Sequence, residues 1–252
     1  MESLILLSIA YEFSCDFDFE KFPFSYEERD FVFHAGSGQM HTCIETYLNR
    51  QDDIDYFISL VNKFCLSLIH IPWVSFQFIS ASTMGLRTDY DSLFTKRPFN
   101  QSSPRNLPTE NVPRLILDFQ NEDQIKAYSL YNDARFTDNL LFRIICLWKI
   151  LEIPNRSGES ASSRLNQILP EINVQQYPVL ELASTRVTDL GDYIKSEYRH
   201  AIAHIARPPH ITSIDYEHRS ALLQVSRALD EVAIFYIQRN LGTPPFQEIE
   251  TL

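Results

Sequence analysis

The sequence predicts an α+β protein: a small N-terminal α+β module over residues 1–84, an irregular excursion over 85–118, and an all-α four-helix bundle over 119–252. Three observations predict it. Short runs rich in β-branched and aromatic residues crowd the first third of the chain. A middle stretch of Ser, Asn, Thr and Arg, punctuated by Pro98, Pro104, Pro108 and Pro113, has no apolar periodicity. Beyond it, apolar residues recur at spacings of three and four to the end of the chain.

The strands come first. Residues 4–14, 29–34, 41–48 and 73–80 are short and partly alternating, as strands with one buried face should be. The apolar run over 4–10 has no preceding Lys or Arg and is followed at once by Tyr11-Glu12-Phe13, so it reads as a strand rather than a secretion signal. Between the strands, residues 52–71 follow a helical rhythm. Asp52 and Asp53 suit the positive end of a helix; Ile54, Phe57, Ile58, Val61, Phe64, Cys65 and Leu68 form its apolar stripe, and Pro72 stops it.

The helices follow. Asn121 is the expected cap of a first bundle helix through Ala134, and Thr137 or Asp138 the cap of a second through Ile153, which Pro154 ends. The second, residues 140–151, is apolar nearly all round and belongs at the bundle's centre. Asn132, Asp133 and Arg135 suit the turn between these two helices. A short helix is expected over 159–169. A long one follows Pro178, with Val187, Leu190, Ile194, Tyr198, Ala201 and Ile205 on one side and Pro208-Pro209 as its stop. The last runs over 214–240, carries Leu222, Val225, Leu229, Val232, Phe235 and Tyr236 on one side, and ends at Gly242.

Composition narrows the function. With 252 residues, 44% hydrophobic and only 6 glycines, the chain can bury proper cores, and its 18 Phe and 12 Tyr supply much of them. The net charge is −11, with 9 basic against 16 acidic residues in 1–118 and 13 against 17 in 119–252. No run of Lys and Arg occurs, which argues against stable binding to duplex nucleic acid and confines any RNA contact to a local, transient one. Cys15, Cys43, Cys65 and Cys146 form no CxxC pair, and Cys65 and Cys146 lie in apolar surroundings, so a reducing, cytoplasmic setting is expected. No apolar stretch reaches the roughly 20 residues of a membrane helix. Phosphate-cradling and nucleophile-elbow loops of the types G-x-x-x-x-G-K-[ST], G-x-G-x-x-G and G-x-S-x-G are missing, and no cofactor is implied.

One stretch carries reaction chemistry: Arg199-His200-Ala201-Ile202-Ala203-His204. Arginine presents a permanent, planar fork of donors to phosphate oxygens, and histidine gives or takes a proton near neutral pH. Together they can cleave RNA without a metal, histidine assisting 2′-hydroxyl attack or protonating the leaving 5′-oxygen while arginine stabilises the developing charge. His204 lies about one turn before Pro208, where the negative end of a helix favours imidazolium. Positions five apart are about 140° apart around an α-helix, so Arg199 and His204 share a site only through local distortion or a second subunit. Glu197 and Asp192 are the acids placed to orient the histidines. The same residues admit a structural reading, with His204 capping carbonyls and Arg199 paired to Glu197 or Asp192. His200 and His204 also have the four-residue spacing of a zinc pair, with Glu197, Asp192 or His210 as the nearest further ligands, but H-E-x-x-H is missing and no metal site is expected.

A helical bundle with Arg199, His200 and His204 near the end of its third long helix resembles the HEPN superfamily over about 119–240. Tyr131-Asn132-Asp133-Ala134-Arg135 and Leu147-Trp148-Lys149-Ile150-Leu151-Glu152 are similar to a branch of HEPN-like bacterial proteins labelled methylamine utilisation protein J. The wider resemblance implies a metal-independent endoribonuclease acting on single-stranded or looped RNA, homodimeric across a shared cleft, serving in toxin–antitoxin or antiviral defence. It equally implies the alternative of a non-catalytic, dimeric interaction protein, since members without activity serve as binding modules. In a toxin subgroup the motif continues to a tyrosine two residues past the histidine; here that position is Ala206, which puts an antitoxin that modifies the tyrosine in doubt. The N-terminal module would hold a protein partner, sense a trigger or select substrate.

Overall fold

A computed structural model describes residues 5–13, 16–17, 20–36, 41–48, 54–69, 76–84, 106–107, 117–153, 159–200, 202 and 216–245. The architecture is α+β: an antiparallel five-stranded sheet with one helix near the N-terminus, and a helical C-terminal region. The chain divides into two compact units, with the break between Phe119 and Gln120. Most of the irregular stretch expected over 85–118 lies outside the described residues.

In the first unit, β1 (Ile5–Phe13), β3 (Lys21–Tyr26), β4 (Arg29–His34), β5 (Thr42–Leu48) and β6 (Phe76–Met84) form a sheet in the order β3-β4-β5-β1-β6. A short parallel pair joins β2 (Asp16–Phe17) to β7 (Asn106–Leu107). β1 lies between two neighbours, pairing Ile9 with Ile44 of β5 and with Ala81 of β6, and an irregularity at Ala10/Tyr11 shifts its register to β6. That position explains its apolar run: every residue from Leu7 to Phe13 is buried.

Helix α1 (Ile54–Leu68) covers one sheet face. Its Phe64 ring stacks 4.1 Å from Phe24, and Tyr11 Oη donates to Asn62 Oδ1 over 2.8 Å. Of the stripe read from sequence, Phe57, Val61, Phe64, Cys65 and Leu68 are buried, but Ile54 is exposed because it opens the first turn, beyond the edge of the packed face. Asp52 and Asp53 fall outside the described residues.

Strand β3 is absent from the sequence-based assignment, and its turn explains why. β3 and β4 are joined through Glu27 and Glu28 at φ 46° and 63°, the left-handed backbone that usually calls for Asn or Gly, and Pro23 sits inside the strand. Pro23 is tolerated because β3 is an edge strand.

The second unit opens with α2 (Glu122–Phe136), capped as expected by Asn121, whose side chain accepts from Gln124 N. Asn132, Asp133 and Arg135 are helical, not part of a turn; the helix runs two residues past Ala134, and Arg135 lies over the Tyr131 ring at 5.5 Å. The cap of α3 (Leu140–Glu152) is Asn139 rather than Thr137 or Asp138, accepting from Leu141 N and Phe142 N, while the Thr137 hydroxyl is taken by Asn139 N. α3 packs between α2 and the last helix, α7 (Tyr216–Asn240), with Ile144, Leu147, Ile150 and Leu151 fully buried. Gly242, at φ 70°, follows α7 as its stop.

The long third helix is interrupted. It appears as α5 (Pro178–Ser184) and α6 (Leu190–Ile194), followed by a π-helical turn over Lys195–His200. Ser184 and Thr185 hydroxyls bond back to the Glu181 and Leu182 carbonyls, ending α5, and Asp189 accepts from Asp192 N, restarting the chain as α6. α4 (Ala161–Ile168), at the place of the expected short helix, packs against α6. Among the described residues no helix is long and apolar enough to cross a membrane.

Candidate functional site

The C-terminal end of α3 gathers the chemistry of the second unit. Glu152 is its last residue, where the helix dipole is negative and a carboxylate is unfavourable unless a cation answers it. One arginine answers that carboxylate, and a second meets the backbone carbonyls of the same helix end. Arg199, on the π-helical turn, donates from Nη2 to Glu152 Oε1 at 3.0 Å, and the same oxygen accepts the Trp148 indole N–H at 3.0 Å. Arg164, from α4, is 4% exposed and donates from Nη1 to the carbonyls of Leu151 and Ile153, each at 2.6 Å, and to Tyr236 Oη at 3.1 Å. Tyr236 Oη in turn donates to Ile153 O at 2.7 Å.

Trp148 is therefore core, as its sequence context predicts, yet its one polar atom turns to Glu152. The ion pair above it is half-exposed, with side-chain exposures of 29% for Arg199 and 40% for Glu152. The arginine is oriented by a carboxylate, and that carboxylate is fixed by a buried ring.

The π-helical turn places Arg199 beside Glu152. Tyr198 is buried against Tyr193, ring centroids 6.1 Å apart, and burial raises its hydroxyl far above the usual phenol range. Its neighbours Arg199 and His200 are left half-buried. Hydrogen bonds in a π-helix run between residues five apart, a spacing common at functional sites. Gly191 lets the preceding α6 sit tightly on α4: a Cβ there would meet the Ser162 carbonyl oxygen at 2.4 Å. The cap carboxylate of Asp189 is held below the usual range by Asn166 Nδ2, 2.8 Å away, and then by Asp192 N.

His204 and His210 lie outside the described residues, as do Ala201, Ala203 and Ile205. Asp192 pairs with Lys195 at 3.5 Å in solvent, and Glu197 is half-buried; neither is the partner of Arg199. Helix geometry explains the correction. Glu197 is two residues from Arg199 and Asp192 seven, whereas side chains on one helix meet at three or four. The partner had to come from another helix. Its sequence signal was an acid closing an apolar helix four residues after a tryptophan. Among the described residues, no three His, Cys, Asp or Glu side chains converge as a metal set.

Residues 127–238 match the family model described as Methylamine utilization protein MauJ. The match spans both phrases that resemble this branch, 131–135 and 147–152, together with Glu152, Arg164, Arg199 and His200. The likeness to that branch, read from those phrases, thus extends through most of the helical unit. No curated protein matches the chain, and no solved structure does.

Proposed function

We propose that the chain is a HEPN-type, metal-independent endoribonuclease acting on single-stranded or looped RNA, with Arg199, His204 and His200 as its working residues. The observation that supports this reading best is Arg199 fixed by Glu152 on a π-helical turn within the MauJ-like segment. Arg199 keeps a permanent charge at a half-exposed position, oriented without being buried, as a phosphate ligand must be.

In the proposed reaction the ribose 2′-oxygen attacks the adjacent phosphorus and loses its proton to a base, His204 or its counterpart in a second subunit. The P–O5′ bond breaks and the leaving oxygen takes a proton from the paired acid. A 2′,3′-cyclic phosphate and a 5′-hydroxyl result, with no water consumed. Arg199 stabilises the charge on the phosphoryl oxygens, and His200 positions the substrate. The protein works as a cytoplasmic homodimer, with toxin–antitoxin or antiviral defence as its setting.

A second reading is favoured by the charge: −11 overall, with no basic run to hold RNA. In it the helical unit is a non-catalytic dimerising module. The test incubates wild type, Arg199→Ala and His204→Ala with mixed RNA in EDTA and assays fragments for cyclic phosphate ends. Cleavage by wild type alone supports the enzyme. Intact RNA with all three folded and dimeric supports the binding module, and cleavage unaffected by either substitution removes these residues from the reaction.

A further inference from the structure

We propose that the outer face of β3-β4-β5 is a docking site for an arginine side chain presented by a protein partner. This rests on the first unit alone and is independent of the ribonuclease reading. Register places Pro23, Val32 and Glu45 in one row across the three strands, and Ser25 and Asp30 in the next, on the face opposite the Phe24–Phe64 stack. With Tyr47 they line a cavity of about 360 Å³.

The lining suits one kind of guest. Tyr47 is 67% exposed, an unusual state for a ring on a sheet, and Pro23 and Val32 add apolar floor. Glu45 Oε2 lies 2.9 Å from His34 Nε2, and its Oε1 lies 3.5 Å from Ser8 Oγ. Asp30 is fixed by Ser25 Oγ at 2.6 Å. Because Val32 faces Glu45, Asp30 is a diagonal neighbour of Glu45, a relation that sets residues roughly 7–8 Å apart. A guanidinium spans such a gap with a charge-assisted bond to each side while its plane lies on the tyrosine ring. The 16 acidic against 9 basic residues of 1–118 supply long-range attraction for a basic partner. β3 is the edge strand, so the face opens sideways to an extended segment.

The experiment titrates the full chain against a fluorescent peptide of alternating arginine and glycine, its lysine counterpart, and free arginine amide, following anisotropy at low salt. Wild type binds the arginine peptide more tightly than the lysine peptide. Asp30→Asn with Glu45→Gln weakens binding at least roughly tenfold, as loss of two charge-assisted partners should. Glu122→Gln with Glu181→Gln, the same charge change in the other unit, leaves it intact. Should Asp30→Asn with Glu45→Gln fail to give the native circular dichroism spectrum, Tyr47→Ala at its exposed position carries the test, with a loss of roughly fivefold. The proposal is overturned by an absence of binding to wild type, by equal losses in the two charge-matched pairs, or by retained affinity in folded site variants. Free arginine amide binding as tightly as the peptide overturns the protein partner.

Discussion

Glu152 and Arg164 both meet the C-terminal end of α3, but they differ in burial and so in energetic weight. Arg164 is 4% exposed, and removing it leaves the Leu151 carbonyl without that donor inside the core. Arg164→Leu is expected to destabilise the protein by about 3 kcal/mol in urea unfolding. The Glu152–Arg199 pair is half-exposed and screened, so Glu152→Gln should cost less than about 1 kcal/mol. On the proposed function it still loosens the hold on the guanidinium by removing the carboxylate's charge, and RNA cleavage should fall roughly tenfold with the fold intact. Equal stability losses in the two variants would contradict this division. Arg199 and His200 were visible in the sequence as chemistry-bearing residues. Glu152 was visible only within a phrase similar to a family, because pairing between helices leaves no local spacing.

The elements most readable from sequence were those with local causes. Asn121 announces α2 and Gly242 closes α7, because a cap or a left-handed stop is decided by a few neighbouring residues. β3 was hidden by Pro23 and by two glutamates doing the work of Asn-Gly at its turn. The break between α5 and α6 was hidden because apolar spacing continues across it, while Ser184, Thr185 and Asp189 divert the backbone's hydrogen bonds. The contact of α6 with α4 gives an element-scale prediction. Gly191→Ala puts a methyl 2.4 Å from the Ser162 backbone oxygen and 2.9 Å from Asn166 Oδ1, and a backbone atom cannot swing away. A loss of about 2 kcal/mol in urea unfolding is expected, since α6 must shift. A variant as stable as wild type would show that the contact is loose.

At the scale of the whole molecule, the described thiols lie inside its cores. Cys43, Cys65 and Cys146 are buried; burial pushes Cys146 up to about 11 and Cys65 well above the ordinary thiol value. In native protein near neutral pH these three should resist a thiol reagent, and unfolding should expose all 4 cysteines of the chain to it. Rapid native reaction at Cys146 would contradict its packing. The sign for stability follows, because a folded pKa above the unfolded one favours the protonated fold. The contribution of Cys146 is complete below the ordinary thiol value and declines as pH rises through about 11. By itself the sequence determined the α+β class, the succession of strands then helices, the helix signals at Asn121 and Gly242, much of the apolar core and the acidic balance, since periodicity, capping and composition act locally or by simple sum. Only tertiary structure decided that Glu152 holds Arg199, that Arg164 caps α3 from inside, and that Asp30, Glu45 and Tyr47 share a sheet face. Each of these depends on residues distant in the chain meeting at a few ångströms, which strand register and helix packing set and local spacing does not encode.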